Sequence, residues 1–60
     1  MDDHPKVRRV EIWLQENSTP TIREWVECYT KGHMYCTFNR DDNYTEKTPL
    51  CNIFRVVEYY

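Results

Sequence analysis

The chain has 60 residues, of which 40% are hydrophobic, and its formal net charge is −2. A chain this short forms a single small domain, 1–60, with little volume for an active-site pocket, so we expect neither an enzyme nor a cofactor. The mild acidity differs from the basic surface of most nucleic-acid-binding domains, and no apolar run is long enough for a membrane span.

The first predicted element is a strand over 7–15, preceded by a loose polar arm at 1–6. Within VRRVEIWLQ, the apolar Val10, Ile12 and Leu14 alternate with Arg9, Glu11 and Trp13. This period of two is typical of a strand with one buried face. The next segment, ENSTPT at 16–21, collects Asn, Ser, Thr and Pro, so we predict a turn there.

The segment IREWVECYTK at 22–31 is compatible with two structures. A helix over 21–31 is favoured by apolar residues at helical spacing and by a capping box at its start. A strand over 22–30 is favoured because the alternation continues in HMYCTFN at 33–39. A three-residue loop ending at Gly32 would join these strands with their even-numbered residues on one face. The hairpin is our preferred interpretation.

The last strand is predicted over 51–59, after a polar connection at 40–49. Its apolar residues occur at both even and odd positions, which is typical of a strand that is covered on both faces, lies centrally or meets a second chain. Small sheets also leave unpaired edges, so we expect a homodimer that pairs through 51–59. The predicted fold is all-β, either a small antiparallel sheet or an SH3-like, partly open barrel. The alternative is an α+β fold with 21–31 as a helix on a three-stranded sheet.

The segment CYTKGHMYC at 28–36 holds two of the three cysteines and a histidine. An odd cysteine count indicates reduced thiols rather than a disulfide framework. A zinc site at Cys28, His33 and Cys36, with Cys51 or His4 as a fourth ligand, would lack the closely spaced ligand pairs of known zinc motifs, so we predict no metal. The predicted register sets the two cysteines diagonally, beyond disulfide distance, as buried thiols.

The other face of the predicted hairpin gathers residue types that dominate protein interfaces. Tryptophan, tyrosine and arginine are enriched among the residues that contribute most to binding. A second small core or a homodimer seam would explain the same residues equally well. The candidate binding residues are Trp13, Arg23, Trp25, Glu27, Tyr29 and Tyr35.

These observations predict a small cytoplasmic interaction module that binds a larger protein of unknown identity. A cytoplasmic location is expected because no signal-peptide pattern opens the chain. The short, acidic, glycine-poor chain would suit an inhibitor or other accessory protein of a phage or mobile element. The alternative is a small nucleic-acid-binding β module, in which aromatic residues stack on bases and arginines contact phosphates. A third hypothesis is a domain stabilised by zinc.

Overall fold

The computed structural model describes residues 6–60 and shows one five-stranded antiparallel sheet that is not closed. Its strands are β1 (Lys6–Leu14), β2 (Thr21–Lys31), β3 (Met34–Asn39), β4 (Tyr44–Pro49) and β5 (Ile53–Tyr59), with a 3-10 turn over Leu50–Asn52. The order across the sheet is β4-β3-β2-β1-β5. The predicted all-β class is confirmed, and the segment that could have formed a helix is β2.

Four of the five strands agree with the predicted strands to within two residues at each end. β1 begins at Lys6, inside the predicted arm, and residues 1–5 lie outside the described part of the chain. Within residues 6–60, no helix is long and apolar enough to cross a membrane.

β4 is the strand that the sequence pattern does not predict. The connection expected over 40–49 is a loop only in its first half, and its second half pairs with β3. The loop is closed by local contacts: Asn43 has φ +52°, and the backbone N–H of Asp42 donates to Oδ1 of Asn39 at 3.1 Å. The strand YTEKTP lacks alternating apolar residues because it lies at the sheet edge, where neither face needs to be apolar.

The β2–β3 hairpin turns on two residues, Gly32 and His33, instead of the three predicted. Gly32 has φ +62° and His33 does not have a positive φ, which is the pattern of a type II′ turn. Lys31 pairs with Met34, so paired residues differ in parity throughout the hairpin. Even-numbered residues of β2 therefore share a face with odd-numbered residues of β3, and the predicted common even face is wrong.

β1 and β2 bend together at Trp25, which has φ +59° and is skipped by the β1–β2 pairing. On β1 the buried positions change from odd to even, as Val7 and Val10 are both wholly buried. On β2 the inward positions change from Arg23 to Val26. On the two sides of this bend, each strand directs residues of opposite parity into the core. No period in the sequence predicts the bend.

The core lies on the concave face of the sheet. It comprises Val7, Val10, Ile12, Val26, Cys28 and Tyr35, with Leu14, Ile53 and Val56 packed against them. The Tyr35 hydroxyl on β3 donates to the Glu58 carboxylate on β5, although β2 and β1 lie between those strands. In a flat sheet β3 and β5 would be roughly 14 Å apart. The contact therefore shows that the sheet curls around its core.

β5 is an edge strand and not the central strand that its composition favours. In residues 6–60 it pairs with β1 alone, and this pairing shifts register between Trp13–Arg55 and Leu14–Ile53. The shift leaves Phe54 as the extra residue of a β-bulge, with 73% of its surface exposed. Pairing of β5 with a second chain stays a prediction.

Candidate binding surface

The outer face of β1 and β5 presents three cross-strand pairs, which we call the β1–β5 outer surface. The pairs are Arg9 with Tyr59, Glu11 with Val57, and Trp13 with Arg55. Over residues 9–14, the alternate residues of β1 point into the core, as the sequence predicts. The surface thus combines two rings, two guanidinium groups, one carboxylate and one aliphatic side chain.

Guanidinium groups on this surface lie over aromatic rings. Cζ of Arg55 is 5.5 Å from the ring centre of Trp13, and the Cζ atoms of Arg8 and Arg9 are 6.0 and 5.9 Å from that of Tyr59. Each such contact contributes about 0.5–1 kcal/mol when exposed. The rings and the long arginine side chains are therefore held in place before any partner binds.

Two buried donors on the same surface have no acceptor within residues 6–60. They are Nε of Arg9 and the indole N–H of Trp13. A terminal nitrogen of Arg9 donates to Glu11 at 2.9 Å, but Nε does not share this contact. A buried donor without a partner costs roughly 1–3 kcal/mol, and folded proteins tolerate few of them. Both therefore mark a surface that is not arranged for stability alone.

Trp25 falls where the β1–β2 ladder skips one pair, between Val7–Val26 and Arg9–Glu24, and the β1 residue in that gap is Arg8, which lies over Tyr59. Its surface is 59% exposed and its φ is +59°. The left-handed conformation costs an L-residue about 1–2 kcal/mol and is rare for bulky residues. Strain and exposure both oppose stability at this position, and strain of this kind clusters at functional sites.

Tyr35 does not lie on the exposed aromatic face that the sequence predicts. It is 7% exposed and belongs to the core, because the two-residue hairpin turn places it on the same side as Cys28. Its hydroxyl donates to Glu58, whose second oxygen accepts from Tyr60 at 2.5 Å. Burial, followed by contacts with Cys28 and Glu58, raises the pKa of Tyr35 well above its ordinary value, and burial also raises the pKa of Cys28.

Glu27 is also unavailable as an exposed binding residue, because it is buried in an ion pair. Its carboxylate accepts two hydrogen bonds from Arg40, at 2.8 and 3.1 Å, and Arg40 lies over the Phe38 ring at 5.4 Å. Tyr29 lies two residues after Glu27 on the same face of β2, where it is half-buried opposite Cys36. The outer face of the hairpin is therefore largely closed by its own side chains.

Arg23 lies on the concave side, and not on the outer face as predicted, because the bend at Trp25 reverses the parity of β2. Its guanidinium donates to both oxygens of Glu46, at 2.7 and 2.9 Å, and to the backbone oxygen of Ile22. This pair lines a groove of about 400 Å³ together with Ile12, Leu14, Thr21, Thr37, Lys47 and Thr48. The guanidinium thus links β2 to β4 within the groove, and 41% of the Arg23 side chain remains exposed.

The three cysteines are free thiols, as expected. Cys28 and Cys36 are buried and Cys51 is exposed. Cys28 lies opposite Thr37 and Cys36 opposite Tyr29, so the two buried thiols point to opposite faces of the hairpin. Among residues 6–60, no group of three or more His, Cys, Asp or Glu side chains is close enough together to hold a metal ion.

The sequence pattern does not single out Tyr59 or Arg55 for this surface, nor the exposed Phe54 next to Arg55. The odd-position pattern of β1 predicts the outward placement of Trp13, but its pairing with Arg55 depends on strand order. The exposure of Phe54 depends on the bulge, for which the sequence has no glycine or other signal.

No protein-family model, curated protein sequence or solved structure matches this chain.

Proposed function

We propose that this protein is a cytoplasmic, non-enzymatic module that binds a larger protein through Trp25 and the adjoining β1–β5 outer surface. The observation that carries the proposal is Trp25, a large apolar side chain that is exposed to solvent although its backbone has a strained, positive φ. Tryptophan and arginine are the residue types that most often dominate binding energy at protein interfaces. Rings and arginines held in place before binding lose little conformational entropy when a partner docks.

Trp25→Gly tests this proposal because it separates binding from folding. Glycine adopts a positive φ without strain, so we expect the free energy of unfolding to stay unchanged or to rise by up to about 1 kcal/mol. Binding should weaken by at least about 30-fold, the loss of about 2 kcal/mol expected for a dominant interface residue. The partner is first captured with tagged wild-type protein, and calorimetric titration then compares its affinity for the variants.

Tyr44→Ala is the matched control, because Tyr44 is another large aromatic residue, 52% exposed, on the distant strand β4. Its affinity for the partner should equal that of the wild type. Equal affinity of the wild type and Trp25→Gly would exclude Trp25 from the interface. A loss of stability in Trp25→Gly would show that the tryptophan serves folding instead.

Binding of single-stranded nucleic acid is the second candidate function. It is favoured by the three arginines, Arg8, Arg9 and Arg55, that stand beside two rings on adjacent strands. Stacking of bases on aromatic side chains beside basic groups is the usual mode of such binding. Fluorescence anisotropy with labelled oligonucleotides should then show an affinity that falls steeply with salt. Absence of binding at low salt would eliminate this function.

A further inference from the structure

Within residues 6–60, the regular part of β5 is an unpaired strand edge. It runs from Arg55, just after the bulge at Phe54, to Tyr59, and Val57 is its midpoint. An unpaired edge offers backbone N–H and C=O groups to another strand. We propose that β5 pairs antiparallel with β5 of a second copy of this chain, about a two-fold axis at Val57, so that two sheets become one.

The two-fold axis fixes which residues meet. In an antiparallel pair related by symmetry, one residue must lie opposite its own copy, and the same faces of the two sheets then adjoin. With Val57 at the axis, Arg55 lies opposite Tyr59 of the second copy and Val56 lies opposite Glu58. The outer surfaces of the two copies become one continuous surface.

This register extends the alternation of arginine and aromatic residues that one copy already shows. Within one copy, Trp13 faces Arg55 and Arg9 faces Tyr59 across β1 and β5. In the pair, Arg55 gains Tyr59 of the second copy on its other side, so each row across the four strands reads Trp13, Arg55, Tyr59, Arg9. Cross-strand neighbours of this kind contribute about 0.2–1 kcal/mol each.

The same register covers the two most exposed large apolar side chains of the described chain. Phe54 is 73% exposed and Tyr60 is 72% exposed, at opposite ends of β5. In the pair, Phe54 of each copy approaches Tyr60 of the other. The contact between these rings would remove apolar surface from water, which favours the pairing.

Neighbouring registers fit less well. An axis at Val56 would set Phe54 opposite Glu58 and so would separate the exposed rings of Phe54 and Tyr60. An axis at Arg55 would set two guanidinium groups directly opposite each other, and like charges in that position are destabilising. Of these three axes, only the one at Val57 sets Phe54 opposite Tyr60 and Tyr59 opposite Arg55 of the second copy.

Cysteine cross-linking tests the register. Cys51→Ser first removes the exposed thiol, while Cys28 and Cys36 are buried. In that background, Val57→Cys should give a disulfide-linked dimer on oxidation, which a reductant reverses. Val56→Cys is the matched control: its two thiols would lie diagonally at roughly 7–8 Å, beyond the usual disulfide spacing. Preferential cross-linking of Val56→Cys would overturn the register.

Sedimentation velocity over a dilution series in the micromolar range tests the pairing itself. The wild type should show a dimer that dissociates on dilution. Val57→Lys should remain folded by circular dichroism and sediment as a monomer, because it places two ammonium groups at the axis. Thr45→Lys, on the opposite edge strand β4, should leave the dimer intact. A wild-type monomer throughout would overturn the proposal. The pairing does not depend on the proposed partner protein, because purified protein alone is measured.

Discussion

The two edges of the described sheet, β4 and β5, have opposite character. β4 carries Lys47 and ends at Pro49, and both lysine and proline are common means of preventing an edge strand from pairing with another chain. β5 has neither, and its regular part displays valines on both faces. Its bulge shortens the unpaired edge but also leaves the Phe54 side chain exposed to solvent. The β4 edge is therefore protected against pairing with another chain, and the β5 edge is suited to it.

Each edge strand is also tied to the sheet interior by one carboxylate, and the two ties differ chemically. Glu46 of β4 binds the charged guanidinium of Arg23 in a groove that is open to solvent. Glu58 of β5 accepts a hydrogen bond from the neutral hydroxyl of the buried Tyr35. The first tie depends on an ionised pair at the surface, and the second on a buried, uncharged donor.

The largest effect is expected from removal of the buried tie. Tyr35→Phe leaves the Glu58 carboxylate without its interior donor, which should lower the free energy of unfolding by about 1–3 kcal/mol. Tyr44→Phe is the matched control, because it removes an exposed hydroxyl that donates to Glu46 at 2.9 Å. Its effect should stay within about 0.5 kcal/mol. Urea unfolding measures both, and equal losses would show that burial does not distinguish the two ties.

The pH dependence of stability should separate the two edges. Hydrogen bonds from Arg23 lower the pKa of Glu46, so the stability from this tie is present above about pH 4 and is lost as pH falls through the folded-state pKa. Burial raises the pKa of Tyr35, so the folded state favours the neutral hydroxyl. The contribution of this residue to the free energy of unfolding is therefore present below about pH 10 and is lost at higher pH. The midpoint of urea unfolding should therefore fall at both extremes.

Two variants assign these losses of stability to their residues. Arg23→Met should weaken the loss at acid pH and leave the alkaline loss in place. Tyr35→Phe should weaken the alkaline loss alone, and the raised pKa of the buried Cys28 thiol accounts for part of what remains. An acid loss that is unchanged in Arg23→Met would contradict the assignment to Glu46.

The parts of this fold that follow a period of two were predictable from the sequence, and the parts set by backbone irregularities were not. The alternation in β1 predicts both the buried Val10 and the outward Trp13. The predicted positions of Arg23 and Tyr35 are wrong because a change of parity separates each from the residues that set the predicted face. For Arg23 the change lies at the strained Trp25, and for Tyr35 it lies at the two-residue turn. β4 was missed because an edge strand without a buried face has no hydrophobic period.

The smallest expected effects are on thiol reactivity, which reports how each edge opens. Cys51 alone should react rapidly with a thiol reagent in the native protein, since Cys28 and Cys36 are buried. Cys36 lies opposite Lys47 of β4, whereas Cys28 contacts Tyr35, which is held by Glu58 of β5. Mass spectrometry of labelled peptides measures each rate. Arg23→Met should increase the labelling rate of Cys36 more than that of Cys28, because it loosens β4. Tyr35→Phe should increase the labelling rate of Cys28 more than that of Cys36. An equal increase in the labelling rates of both thiols would mean that the two edges open as one cooperative unit. The difference between β4 and β5 would then affect pairing with other chains and not local stability.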